Sequence, residues 1–233
     1  MASLTSTSRG QEKQTFAPIP GLPFVYTSTS LTTDIPDVSD SLFNASAKGI
    51  RFDVNRTELR PTEPFIGIVR NQLAPILKGK GLVLRKIIVR GAASPEGPYD
   101  NNRRLGQGRT ARLIDFINSE LGLQIDASQI QSDFISEDYE YLAIVMEKAG
   151  DKDAATVRRI WLKCQKDERQ TKKALMALNG GRNWQRWKAK YFPQLRQARV
   201  MMWFGVPVEE IKKAEQKVIL PEPTEIKDST ETI

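Results

Sequence analysis

The sequence contains no histidine, and Cys164 is its single cysteine. A zinc site, every His-dependent catalytic triad and any internal disulfide are therefore excluded. Cys164 lies among apolar residues at helical spacing and is expected to be buried. No run approaches the roughly 20 apolar residues that a membrane helix requires, so no transmembrane segment is expected. Residues 1–20 hold Ser, Thr, Gln and Pro but no apolar stretch of signal-peptide type. Either a signal has been removed or the chain is cytoplasmic. Phosphate loops, dinucleotide fingerprints and internal repeats are also missing.

What is present begins with length: 233 residues exceed a typical single domain and fall short of two. One domain of about 150 residues plus extras is expected. The net charge of +7 is unevenly held, because residues 151–200 carry 14 Lys and Arg against 4 Asp and Glu. Such a segment fits an acidic partner: nucleic acid, a lipid surface or an anionic cell-wall polymer. Trp161, Trp184, Trp187 and Trp203, interleaved with Arg158, Arg159, Arg182, Arg186, Lys188 and Lys190, have the composition of a nucleic-acid surface. Helical spacing of Trp184, Trp187, Lys188 and Tyr191 argues instead for a packed aromatic stripe with the charges outside. Nucleic acid is thus disfavoured. The basic segment is expected to hold anionic cell-wall or lipid headgroups, or to dock a partner protein.

Along the chain, residues 1–47 are rich in Ser, Thr and Pro and lack core-forming periodicity, so a flexible leader is expected. In residues 50–54, Ile50, Phe52 and Val54 alternate with Arg51 and Asp53, the mark of a strand with one buried face. Pro61 and Pro64 suit the first turn of a helix. Its stripe is Phe65, Ile66, Val69, Leu73, Ile76 and Leu77, and Gly79 and Gly81 end it. The near-continuous apolar run 82–89 reads as a central strand. A loop over 91–98 and a helix over about 101–121 follow, then a strand at 130–135. Residues 137–193 are helical in pattern, broken near Gly150 and at Asn179-Gly180-Gly181, which predicts three or four short helices. A last strand at 198–204 precedes a charged flexible tail, 206–233. Two successive β-helix-β units predict an α/β layer, with the helical block inserted before the last strand.

These residues resemble the OmpA-like domain family. The run from Phe52 to Pro61, with Leu59 before the proline, is similar to the family's opening strand and turn. Gly91, Gly97, Asn102, Leu105 and Arg109 fall at the spacing of the family's Gly-x-Thr-Asp-x-x-Gly…Asn-x-x-Leu-x-x-x-Arg motif, without gaps. Arg199-Val200 resembles its closing Arg-Arg-Val element. Ala93-Ser94-Pro95-Glu96-Gly97, with Asn179-Gly180-Gly181, resembles a variant branch from envelope proteins of some diderm bacteria. The likeness covers about residues 50–135 and 196–205 and leaves 137–193 unmatched. It implies a β-α-β-α-β sandwich over residues 48–205, of class α/β (α+β), with helices on one face of a mixed sheet.

In that family an Asp of the loop and an Arg of the following helix clamp a diaminopimelate residue of the peptidoglycan stem peptide. The resemblance places the Arg at Arg109 and the polar Asn at Asn102, but puts Ser94 where the family has its Asp. A zwitterion needs an anion for its ammonium and a cation for its carboxylate, and Arg offers a carboxylate a planar fork. A serine hydroxyl carries no charge, so Glu96 is expected to supply the missing anion. The expected clamp is Glu96 with Arg109, assisted by Ser94 and Asn102. Alternatively, Arg109 pairs with Asp115 or Glu96 as a surface residue, and Gly91 and Gly97 are turn glycines with positive φ.

The resemblance implies a non-catalytic peptidoglycan-binding module that anchors an outer-membrane or envelope component to the wall from the periplasm, without cofactor or metal. The alternative is a ligand-free interaction module docking another envelope protein through the insertion. An enzyme is not expected: Glu137, Asp138 and Glu140 read as the acidic first turn of a helix capped by Ser136.

Overall fold

The computed structural model describes residues 16–28, 35, 37–207, 209, 210 and 213. Its core is a six-stranded mixed sheet built around β6 (Gln197–Gly205) and β4 (Val83–Ala92), which pair antiparallel along their whole lengths. β5 (Ile130–Ile135) adds parallel to β4 on the outer side. On its other side β6 carries two strands in succession: β3 (Lys48–Arg51), antiparallel through Val200, and β2 (Leu22–Thr27), parallel from Met202. β1 (Ala17–Ile19) closes that edge as a hairpin with β2. Every residue of β6 is buried, as a strand with neighbours on both sides and layers on both faces must be.

The helices follow from local signals. A helical run from Pro64 to Lys80 comprises α2 (Pro64–Ile68), a π-helical turn (Val69–Leu73) and α3 (Ala74–Lys80). Pro75 explains the widened turn, because it lacks an amide hydrogen and its ring crowds the preceding turn's carbonyl. Gly81 ends the run at φ 61°. Pro64 sits at its first turn, whereas Pro61 lies outside in the preceding turn. α4 (Tyr99–Leu121) is the long crossover between β4 and β5, ended by left-handed Gly122. It packs Leu113, Phe116 and Ile117 against the sheet together with Phe65, Val69 and Leu73.

A short helix, α1 (Asp40–Ser46), covers the opposite face, where the Phe43 ring lies 4.8 Å from the Arg90 guanidinium carbon and 5.5 Å from that of Arg199. Arg90 and Arg199 are register partners and share a face, while the neighbouring Gly91 turns to α4. The expected mixed sheet layered with helices is observed, with α1 added on the second face. Among the described residues no helix is long and apolar enough to cross a membrane.

Between β5 and β6 stand five α-helices rather than three or four: α5 (Tyr139–Lys148), α6 (Ala154–Lys163), α7 (Glu168–Met176), α8 (Arg182–Lys190) and α9 (Phe192–Leu195). They own a separate small core of Tyr139, Leu142, Met146, Val157, Leu175, Trp184, Trp187, Tyr191, Phe192 and Leu195. The Trp184–Trp187–Tyr191 stripe is thus packed, not displayed. Asp151 and Asp153, in the turn before α6, accept from Arg186, from Trp187 Nε1 at 3.3 Å and from the Tyr191 hydroxyl at 2.7 Å. The Arg186 guanidinium beside Asp151 holds that carboxyl well below the usual carboxylate range. Part of the segment's basicity is therefore spent inside it.

Three expectations are corrected. Residues 1–47 are not throughout a coreless leader: Phe16, Ile19, Leu22, Phe24, Val25 and Tyr26 are buried in the main core, and α1 follows. The prolines that argued against structure stand where no ladder hydrogen bond is needed, in the edge strand (Pro18), the Pro20-Gly21 turn and the part of β2 beyond its pairing with β6 (Pro23). Val54 is 62% exposed, because the chain leaves the sheet after Arg51. Cys164 caps the end of α6 half-buried rather than in the core. Of the expected tail, 206–233, nearly all lies outside the described residues.

Candidate functional site

The carboxyl end of β4 and the amino end of α4 meet at a crevice, the place where an α/β sheet ordinarily presents ligands. Close approach of strand and helix depends on Gly91. A Cβ there would lie 2.3 Å from the Gly106 carbonyl and 2.4 Å from the Thr110 hydroxyl. The Gly91 amide instead donates to Thr110 Oγ1 at 2.9 Å, and that hydroxyl sits 3.0 Å from the Asp133 carbonyl of β5. Neither Gly91 nor Gly97 has a positive φ. Their requirement is proximity, not turn conformation: a Cβ on Gly97 would come within 3.0 Å of Asn102 Oδ1.

Loop 93–98 borders a cleft of about 360 Å³ lined by Ser94, Glu96, Asn101, Asn102, Arg109, Arg196 and Asn55, among others. All four side chains expected from the sequence therefore converge on one cavity. Their pairing differs from the expected clamp. Glu96 does not meet Arg109; its Oε1 accepts from the Ser94 hydroxyl at 3.0 Å and from Arg196 at 2.9 Å. Arg109 is wholly buried at the cleft floor. It donates to three backbone carbonyls, Ala92 at 2.7 Å, Arg56 at 3.1 Å and Asp53 at 3.2 Å, and pairs with neither Asp115 nor Glu96. The reason is geometric: the 53–56 turn and the end of β4 bring their carbonyls together over α4, and only a planar five-donor fork spans them. Burial, then the neighbouring Arg196 charge, lower the Arg109 pKa to about 10, so it stays cationic at neutral pH.

Asn102 is buried beneath the loop and donates to the Gly97 carbonyl at 3.3 Å and to Glu137 Oε1 at 3.0 Å. Glu137 is wholly buried and Asp138 is 2% exposed; of the three carboxylates read as an acidic first turn capped by Ser136, only Glu140 stands in the first turn of α5. Asp138 is itself the cap of α5, accepting from the Tyr141 amide at 2.9 Å, and it pairs with Arg199 at 2.6 Å. Glu137 also accepts from the Tyr139 hydroxyl and from Lys172 Nζ, each at 2.7 Å. Burial and the Glu137 charge push the Tyr139 phenol far up, keeping it a donor. Lys172 donates in turn to the Gly97 carbonyl at 2.7 Å. On the same helix, Arg169 stacks over Tyr99 at 4.3 Å. The helical block therefore grips the cleft loop through α7. Sequence reasoning missed Arg196, Glu137 and Lys172. Arg196 is one of fourteen cations in its segment, and no local spacing distinguishes it.

The charged residues lining the cleft are one carboxylate, Glu96, and two guanidiniums, Arg109 and Arg196. Among the described residues no group of His, Cys, Asp and Glu side chains could hold a metal ion.

No family model matches the sequence, and no curated protein matches it. The chain is similar to several solved structures. The peptidoglycan-associated lipoprotein from Burkholderia pseudomallei shares 14% identity over 68% of this chain and 92% of its own, at a TM-score of 0.36. The C-terminal domain of Helicobacter pylori MotB shares 11% over 75% of this chain and 98% of its own, at 0.31. The periplasmic domain of the same MotB shares 10% over 72% and 78% respectively, also at 0.31.

Proposed function

We propose that this chain is a non-catalytic peptidoglycan-binding module of the cell envelope. It takes a diaminopimelate residue of the stem peptide in the cleft at the end of β4 and ties an outer-membrane or envelope component to the wall from the periplasmic side. The observation that carries this reading is the convergence on one open cleft of Ser94, Asn102 and Arg109, which stand at the family's motif spacing, with Glu96, the acid of the same loop. Glu96 receives the ligand ammonium, with Ser94 and Asn102 as accessory polar groups. Arg109 fixes the floor and supplies positive potential from behind it. No cofactor or metal takes part.

Co-sedimentation with purified sacculi, competed by free stem peptide, tests the proposal. Glu96→Ala should weaken binding roughly ten- to a hundredfold, the scale of one lost charge-assisted hydrogen bond. A folded chain that fails to sediment refutes the reading. A specific feature would then favour a ligand-free module docking another envelope protein through the helical insertion: Glu96 is already paired with Arg196, and Arg109 already gives three donors to backbone carbonyls of the chain.

A further inference from the structure

The cleft has an accessible cation that the family motif does not contain. Arg196 follows α9 and immediately precedes β6, so the end of the helical block delivers it to the cleft mouth. Its guanidinium holds Glu96 at 2.9 Å, with the two side chains 15% and 21% exposed. Its Nε is buried and has no hydrogen-bond partner. Arg109, by contrast, is wholly buried and has three donors committed to backbone carbonyls. Of the two cations lining the cleft, only Arg196 retains exposed surface from which to meet a ligand carboxylate.

Glu96 and Arg196 also have the charge pattern of the ligand in reverse. An amino-acid zwitterion can insert between them, its ammonium replacing Arg196 beside Glu96 and its carboxylate replacing Glu96 beside Arg196. Both protein charges stay compensated throughout, which matters at a half-desolvated site where a lone charge is costly. The existing ion pair keeps both side chains near the cleft before ligand arrives, which lowers the ordering cost of binding.

Resting on the peptidoglycan reading, we propose that Arg196 is the specificity-determining residue of the cleft. It takes the free carboxylate of the ligand's zwitterionic centre, and the site rejects ligands whose carboxylate is amidated. An amide offers neither the charge nor the two equivalent oxygens that a guanidinium fork requires.

The test compares two probes by calorimetry or fluorescence titration on the full chain. One is a stem tetrapeptide whose diaminopimelate keeps a free amino-carboxylate centre; the other is the same peptide with that carboxylate as carboxamide. The chain should bind the free acid at least tenfold more tightly. Arg196→Ala should lose that preference, binding both probes alike and weakly, while Arg196→Lys should retain part of it. Glu96→Gln should weaken both probes by a similar factor and leave the preference intact. Equal binding of both probes by the unaltered chain, or an undiminished preference in a folded Arg196→Ala or Arg196→Lys variant, overturns the role of Arg196 and leaves wall binding standing. Failure of the unaltered chain to bind either probe overturns both.

Discussion

Lys172→Met should destabilise the chain by about 3 kcal/mol. Lys172 neutralises a carboxylate that has no exposure at all, Glu137, and bonds the Gly97 carbonyl of the cleft loop. Methionine keeps the apolar stem and removes the ammonium, stranding a buried charge with only Asn102 and Tyr139 as donors. Removing one partner of a buried ion pair typically costs about 3–5 kcal/mol. Because the Lys172 side chain is 21% exposed, water reaches part of the gap, which places the loss at the lower end. For a chain of this size each kcal/mol moves the melting temperature by roughly 2–4 °C, so a drop of about 6–12 °C is expected. Pairing Lys172→Met with Glu137→Gln removes both charges, and the residual cost should be only about 1 kcal/mol, the hydrogen bond to Gly97. Urea unfolding of the two single variants and the double variant measures the coupling. If the double variant is no more stable than Lys172→Met, or if Lys172→Met costs under about 1 kcal/mol, the buried network does not hold the loop as described.

Gly91→Ala should cost more than about 2 kcal/mol, since a Cβ overlapping the Gly106 carbonyl forces β4 from α4; an unfolding midpoint equal to that of the unaltered chain would contradict the packing. Burial raises the Glu168 pKa despite hydrogen bonds from the Glu137 backbone, Tyr99 and Ser136 that oppose the shift, and the Glu137 charge adds to it. A carboxyl raised on folding contributes stability that is present below its ordinary value of 4.5 and is lost as pH rises through the folded value. Glu168→Gln should therefore be more stable than the unaltered chain at neutral pH and lose that advantage below 4.5; melting curves at the two pH values decide it.

Where one pattern dominated locally, the sequence was readable. β5 stands at Ile130–Ile135 as expected, and α4 and β6 begin and end within two residues of expectation. The first hairpin was not readable, because three prolines masked the strand-forming Phe24-Val25-Tyr26-Thr27 run. Proline's prohibition applies only where an amide must join a ladder. The motif spacing, and for Glu96 its place in the same loop, pointed to Ser94, Glu96, Asn102 and Arg109, which line one cleft, yet their partners were illegible. Arg196 meets Glu96 from a hundred positions away, a contact set by how α9 delivers the chain into β6. Glu137 looked like an acid of a helix's first turn because its neighbours in sequence are charged. Its neighbours in space, Lys172 and Asn102, are what make it a buried brace.

The position of β6 also sets the order in which the molecule can assemble. Val25 pairs with Met202 and Ile50 with Ala198, so the early strands have no place to add until nearly the whole described chain exists. Closing such long loops is slow, and a chain made from its N-terminus carries the first hairpin with Phe24 and Tyr26 unsheltered in the meantime. Local helix formation and the β4-α4-β5 unit can proceed at once. The sheet as a whole is committed only when its last strand arrives.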